Sequence, residues 1–286
     1  MFYKIQGTIE TKSVLLAMIF CLLIFVPLVL GNGVALTCRQ PGHVALTFDQ
    51  GPGLATGKVL DVLSRRNVPA TFHISVDLLR NATLRAYVKR AAAEGHTVGI
   101  YIPDLGGTIQ DSELQSTDTD LILYQNIAKA SNWIFSLIGR QPNYIRFGRK
   151  NIPQPTKRLI DSMGLVATRA KIDIRDESNK LDSIWSSFQK GFNASSPSEN
   201  SFILKMRDMM PNMAASLDRM IDYMEGRNFT IVPMEKCAPI PEKIASMLAS
   251  RTRRDKVLTA STSFALHTKP GICQSVFLLL LLLVIT

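Results

Sequence analysis

TFDQGP, the six residues Thr47 to Pro52, starts within the apolar run Val44 to Phe48 and continues beyond it. A short run rich in β-branched and aromatic residues reads as a strand buried on both faces. At its carboxyl end stand a carboxylate, Asp49, then Gln50 and a Gly-Pro turn. A carboxylate at the carboxyl end of a buried parallel strand can project into the mouth of an α/β fold as a general base or metal ligand. An Asx-type turn carboxylate is the plainer alternative.

Similar runs recur along the chain: Ala70 to Ser75, Thr97 to Ile102, Tyr144 to Phe147, Leu165 to Ile172, Phe202 to Met206 and Phe229 to Met234. Helical patterns lie between most of them. Leu54 to Arg66 carries apolar Leu54, Val59, Val62 and Leu63, and Thr83 to Glu94 is followed by Gly95 as a stop signal. Strand then helix, about seven times over, predicts an α/β fold: a distorted (β/α) barrel of about seven parallel strands in a single domain. Chemistry in such a fold sits where the strands end.

Further out, both ends are apolar. Lys4 and Lys12 precede a run from Val14 to Leu30 and then Gly31, Asn32 and Gly33, which reads as a secretory signal over residues 1–33. An uncleaved signal anchor is the other reading of a 17-residue run. The eleven apolar residues Val276 to Thr286 are too few to span a bilayer. With the small residues Ala260 to Ser263 before them, they fit a signal for a lipid anchor of the GPI type at Ser261, with residues 264–286 removed. A hydrophobic tail that stays on is the alternative. The domain would then occupy residues 34–263 and lie at the cell surface or wall.

The 286 residues are 46% hydrophobic and 20% charged, which excludes a disordered chain. The net charge of +10 would suit a nucleic-acid protein, but no nucleic-acid motif accompanies it. Residues 34–263 keep 30 basic and 22 acidic groups, a diffuse +8 that suits a solvated surface facing acidic polymers or a membrane. Of four cysteines, Cys21 and Cys273 lie in the two end segments, so Cys38 and Cys237 remain as one expected disulfide between the start of the domain and its last strand. Asn81, Asn193 and Asn228 each begin an N-x-S/T sequon, expected to carry glycans in the secretory pathway.

TFDQGP resembles the TFDDGP motif of the polysaccharide deacetylases, metal-dependent carbohydrate esterases that include chitin and peptidoglycan deacetylases. PATFHIS (Pro69 to Ser75), EGHTVGIY (Glu94 to Tyr101) and TIVPMEKCAP (Thr230 to Pro239) resemble later stretches of that family. The resemblance implies a zinc or other divalent ion on an Asp-His-His set, a neighbouring Asp as base and a late His as acid. Asp49 matches the base, but Gln50 stands where the metal-binding Asp is expected, and Tyr101 and Leu105 stand at the two histidine positions. Arg146 matches the arginine that orients the base. Asp176 survives from an Asp-Trp pair whose tryptophan is Glu177, and Arg207 takes the place of the acid, which arginine cannot be near neutral pH. A one-residue shift would put Met206 there.

Four histidines could in principle rebuild the site, but His43, His73, His96 and His267 fall off the ligand positions. A core or turn role is expected for the first three, and His267 falls in the tail. The resemblance therefore implies a secreted, monomeric pseudoenzyme without a bound cofactor. It would bind chitin or another N-acetylglucosamine polymer over a vestigial cluster of Asp49, Arg146, Asp176 and Arg207, with a membrane contact through the lipid. An active deacetylase with an atypical site is the alternative, and a purely structural wall protein a third class.

Overall fold

The computed structural model describes residues 34–103, 116–149, 151–174, 180–242 and 244–246. The chain divides into two units, Met1–Pro239 and Ile240–Thr286; the first holds all the elements below. β1 (His43–Gly51) leads to α1 (Thr56–Arg66), β2 (Thr71–Ile74), a 3₁₀ turn (Val76–Arg80) and α2 (Ala82–Ala93). β3 (Thr97–Ile102), α3 (Ser116–Ile138), β4 (Tyr144–Phe147), α4 (Gln154–Ser162) and β5 (Val166–Thr168) follow. The rest is β6 (Ile172–Asp173), α5 (Leu181–Phe192), β7 (Phe202–Met206), α6 (Pro211–Gly226), β8 (Thr230–Ile231) and α7 (Met234–Cys237).

The strands form one parallel sheet in the order β5-β4-β3-β2-β1-β7-β6, with β8 beside the start of β1. The sheet curls into a half-barrel. Neighbouring strands stand about 4.8 Å apart, so β1 and β4 would be about 14 Å apart if flat. Yet Arg146 on β4 donates from Nη1 to Asp49 on β1 at 3.1 Å. Only curvature brings those side chains together.

Alternation along the strands divides the sheet into two faces. Val44, Leu46, Phe48, Phe72, Ile74, Val98, Ile100, Ile145 and Phe147 point outward into the apolar core with the helices. Thr47, Asp49, Thr71, His73, Tyr101, Arg146 and Thr168 take the opposite parity and are also buried. The outer layer is apolar, and the barrel axis is polar.

Three expectations change. The run Leu165 to Ile172 is not one strand: β5 and β6 lie at opposite edges of the sheet, and residues 169–171 cross the opening between them. Lys171 N already donates to Ile203 O on β7, while Val166 N donates to Asn143 O, so no single straight strand can serve both partners. The last predicted strand, Phe229 to Met234, shrinks to β8. Pro233 has no N–H for the ladder and instead caps α7, so the disulfide ties the start of the domain to a short helix rather than to a strand. Leu54 does not join α1; it stands 88% exposed beyond the end of β1. The Cys38–Cys237 bond is formed, with Cα atoms 4.2 Å apart.

Candidate functional site

Two hydrogen-bonded groups occupy the carboxyl ends of the central strands, one beneath the other. The deeper is built on Asp49, which is fully buried. Its Oδ1 accepts from His73 at 2.9 Å and from Arg146 Nη1 at 3.1 Å, and its Oδ2 accepts from the same nitrogen at 3.1 Å. Arg146 Nη1 also donates to Thr47 Oγ1 at 2.6 Å, and the far nitrogen of His73 lies 3.1 Å from Thr168 Oγ1. Strand register makes this possible: Asp49 pairs with His73 across β1 and β2, and Arg146 with Thr168 across β4 and β5.

Burial alone would raise the Asp49 carboxyl, but the Arg146 guanidinium and the His73 ring hold it below its ordinary 3.8. Burial, and then Arg146, push His73 below 6.5 against the pull of Asp49. The group is therefore a carboxylate–guanidinium pair with a neutral imidazole beside it. Such a carboxylate is engaged at both oxygens and is out of solvent.

Above it, Arg207 Nε donates to Gln50 Oε1 at 3.0 Å, and Gln50 Nε2 donates to the Tyr101 hydroxyl at 2.9 Å. Gln50 holds a left-handed φ of 70°, uncommon for a residue with a Cβ, and both ends of its amide are tied while it does so. The next residue is glycine for want of room. A Cβ on Gly51 would meet Asp208 Oδ1 at 2.1 Å. Asp208 is buried and accepts from Thr56 Oγ1 at 2.5 Å, joining the loop after β7 to the start of α1.

The resemblance named Gln50, Tyr101 and Arg207 as the places of a metal-binding Asp, a ligand His and the acid. The structure brings these three together as one chain of hydrogen bonds. Leu105, Asp176 and Ser261 lie outside the described residues. The expected charged cluster at the mouth resolves into two layers, with Asp49 and Arg146 below and Arg207 above. An amide oxygen already facing a guanidinium, a phenol and that guanidinium are a poor donor set for a hard or borderline divalent cation. The residues present do not fit the metal, and no described group of three or more His, Cys, Asp or Glu side chains could hold one.

A profile of polysaccharide deacetylases matches residues 37–168. The chitin deacetylase of Colletotrichum lindemuthianum is 28% identical over 212 residues, covering 71% of this chain and 82% of that one. Its solved structure superimposes with a TM-score of 0.64 at 26% identity, over 74% of this chain and 94% of its own. Residues 37–168 belong to the polysaccharide deacetylase family. Among the chain's other relatives, a peptidoglycan-N-acetylglucosamine deacetylase of Listeria monocytogenes is 28% identical over 68% of this chain but only 38% of its own length. A CE4 family pseudoenzyme from Bacillus anthracis shares the fold, with a TM-score of 0.60 at 14% identity over 73% of this chain and 69% of its own.

Within this family fold, sequence reasoning missed His73, Thr47, Thr168 and Asp208. His73 was expected in the core, and it is there, but as a partner of Asp49. The available signal was parity: His73 is two residues on from Thr71 and opposite Asp49, so it shares the inward face. His96 takes the turn role expected of it, its Nδ1 accepting from Ala70 N at 3.3 Å. All three sequon asparagines are exposed, and Asn81 also caps α2 by accepting from Thr83 N and Leu84 N.

Proposed function

We propose that this polysaccharide deacetylase homologue is catalytically silent and serves outside the cell as a binding protein for an N-acetylglucosamine polymer such as chitin. The observation that carries this reading is the Arg207–Gln50–Tyr101 chain, which fills the ligand and acid positions with groups satisfied by one another. A metal-activated water has no ligands there, and Asp49, though retained, is closed off by Arg146 and His73. Hydrolysis needs a base that can reach the water it activates. Polymer binding needs only the mouth.

The substrates named for its relatives, chitin and N-acetylglucosamine-bearing peptidoglycan, support the ligand class. The pseudoenzyme of the same fold is a precedent for a silent member. The sequence signals at the two ends support secretion and lipid attachment at the surface, with the domain acting as a monomer.

Purified protein incubated with chitooligosaccharides and added Zn²⁺ or Co²⁺ should release no more acetate than an Asp49→Asn variant. Turnover well above that variant would establish the alternative, an active deacetylase with an atypical site. Elemental analysis of the purified chain should find no stoichiometric metal. Retention on insoluble chitin tests the binding role, and complete recovery in the unbound fraction would favour a purely structural wall protein.

A further inference from the structure

Helix α3 is unlike the other surface helices. From Leu121 to Ile138 it carries a single charged residue, Lys129, in eighteen. By contrast α1 carries Lys58, Asp61, Arg65 and Arg66 in eleven residues. One side of α3 packs into the core through Ile127, Ala130 and Ile134. Its outward side holds five of the ten exposed large hydrophobic residues among those described. Tyr124, Trp133 and Phe135 are among the five, and they are the exposed aromatic residues of the described chain.

Helical geometry arranges them. Tyr124 and Phe135 are eleven residues apart, so they share one flank about 16 Å apart along the axis, while Trp133 stands on the other flank. Between the flanks run the exposed amides Gln125 and Asn132. A surface depleted of charge and enriched in aromatic side chains has the composition of a buried interface core. Flat aromatic faces beside neutral amide donors and acceptors match a neutral polymer of acetamido sugars, whose ring faces are apolar and whose substituents are amides and hydroxyls. A lipid surface fits less well, because an in-plane helix relies on a cationic polar face and α3 offers one lysine. A second copy of the chain meets the repulsion of a net +10.

We propose that the outward face of α3 is a second binding surface for an N-acetylglucosamine polymer, separate from the mouth. It rests on the reading that the protein binds such a polymer, and it makes that binding multivalent on an extended chain. Contact at two sites on one molecule raises retention on long polymer far more than on short oligomers.

The test uses the full chain. It has two tryptophans, and Trp185 lies beneath the Arg219 guanidinium at 3.8 Å, so in a Trp185→Phe background the emission reports Trp133. Adding chitohexaose should shift that emission to shorter wavelength and saturate. It should do so equally in an Arg207→Ala variant, whose mouth is altered. Replacing Tyr124, Trp133 and Phe135 together by Gln should lower retention on insoluble chitin by roughly tenfold or more. Unchanged emission, or a triple variant retained like the native chain, overturns the proposal. So does a triple variant whose only loss is self-association in sedimentation or binding to phosphatidylcholine vesicles. If instead Arg207→Ala and Gln50→Ala leave all chitin binding intact while the triple variant abolishes it, the mouth reading fails and the α3 surface stands.

Discussion

Asp49 as a carboxylate can only accept hydrogen bonds, so the His73 nitrogen facing it must donate. A neutral ring then has an acceptor at Nε2, and the Thr168 hydroxyl must donate to it. His73 should therefore hold its proton on Nδ1, a tautomer that imidazole nitrogen NMR shifts would read directly. Charging the ring would require the Thr168 hydroxyl to turn towards Ile145 O, 3.4 Å away. Because His73 has a folded pKa below 6.5, the folded state binds fewer protons than the unfolded chain as pH falls. Stability should drop from about pH 6.5 downward, and Asp49, held below 3.8, extends the loss at lower pH. A His73→Gln variant should show a flatter urea midpoint between pH 7 and 5; an unchanged slope would contradict the assignment. Arg146→Met leaves a buried carboxylate without its cation and should cost about 3–5 kcal/mol in the same measurement. The pairing of Arg146 with Asp49 was legible from the motif resemblance; the partnership of His73 and Thr168 was not. A histidine in an apolar strand shows nothing of the curvature that brings β1, β2, β4 and β5 around one axis.

The elements show where local pattern suffices. β2 and β3 could be read from sequence almost to the residue, because each is buried on both sides and bounded by turn signals, whereas β1 runs three residues past the expected Phe48, to Gly51. α2 begins one residue earlier than expected, where Asn81 supplies the cap. Patterning failed where tertiary contacts override it. The continuous run through Leu165 and Ile172 hides a crossing from one edge of the sheet to the other, and Pro233 ends a strand that its neighbours favour. The family positions were legible by alignment of motifs, yet their new bonding was not: Gln50, Tyr101 and Arg207 come from three separate elements. The Cys38–Cys237 bond joins the chain before β1 to α7 and closes a span of 199 residues. In the chain-entropy view such a span contributes about 3–5 kcal/mol. Reduction, or a Cys38→Ser/Cys237→Ser pair, should lower the urea unfolding free energy by that amount without changing the fold seen by circular dichroism.

For the whole molecule, the open side of the half-barrel is its weakest line. β6 has two residues and pairs with β7 alone, and β5 has three, with the single residue Ala35 on its outer edge. Hydrogen exchange should find the amides of β1 and β2 the slowest and those of residues 169–173 at least about tenfold faster. Uniform protection around the sheet would contradict the open topology. The disulfide has a mechanical side as well. Tension applied between the chain ahead of Cys38 and the chain beyond Cys237 passes through the sulfur bridge, and the sheet between them carries no load. Among the described residues, the short pairing of Ala35 with Thr168 lies ahead of the bridge to be peeled away. Under oxidising conditions a pulling trace should show no large release of length. Once the bridge is reduced, the same pull unravels the 199-residue span, on the order of 700 Å of extended chain.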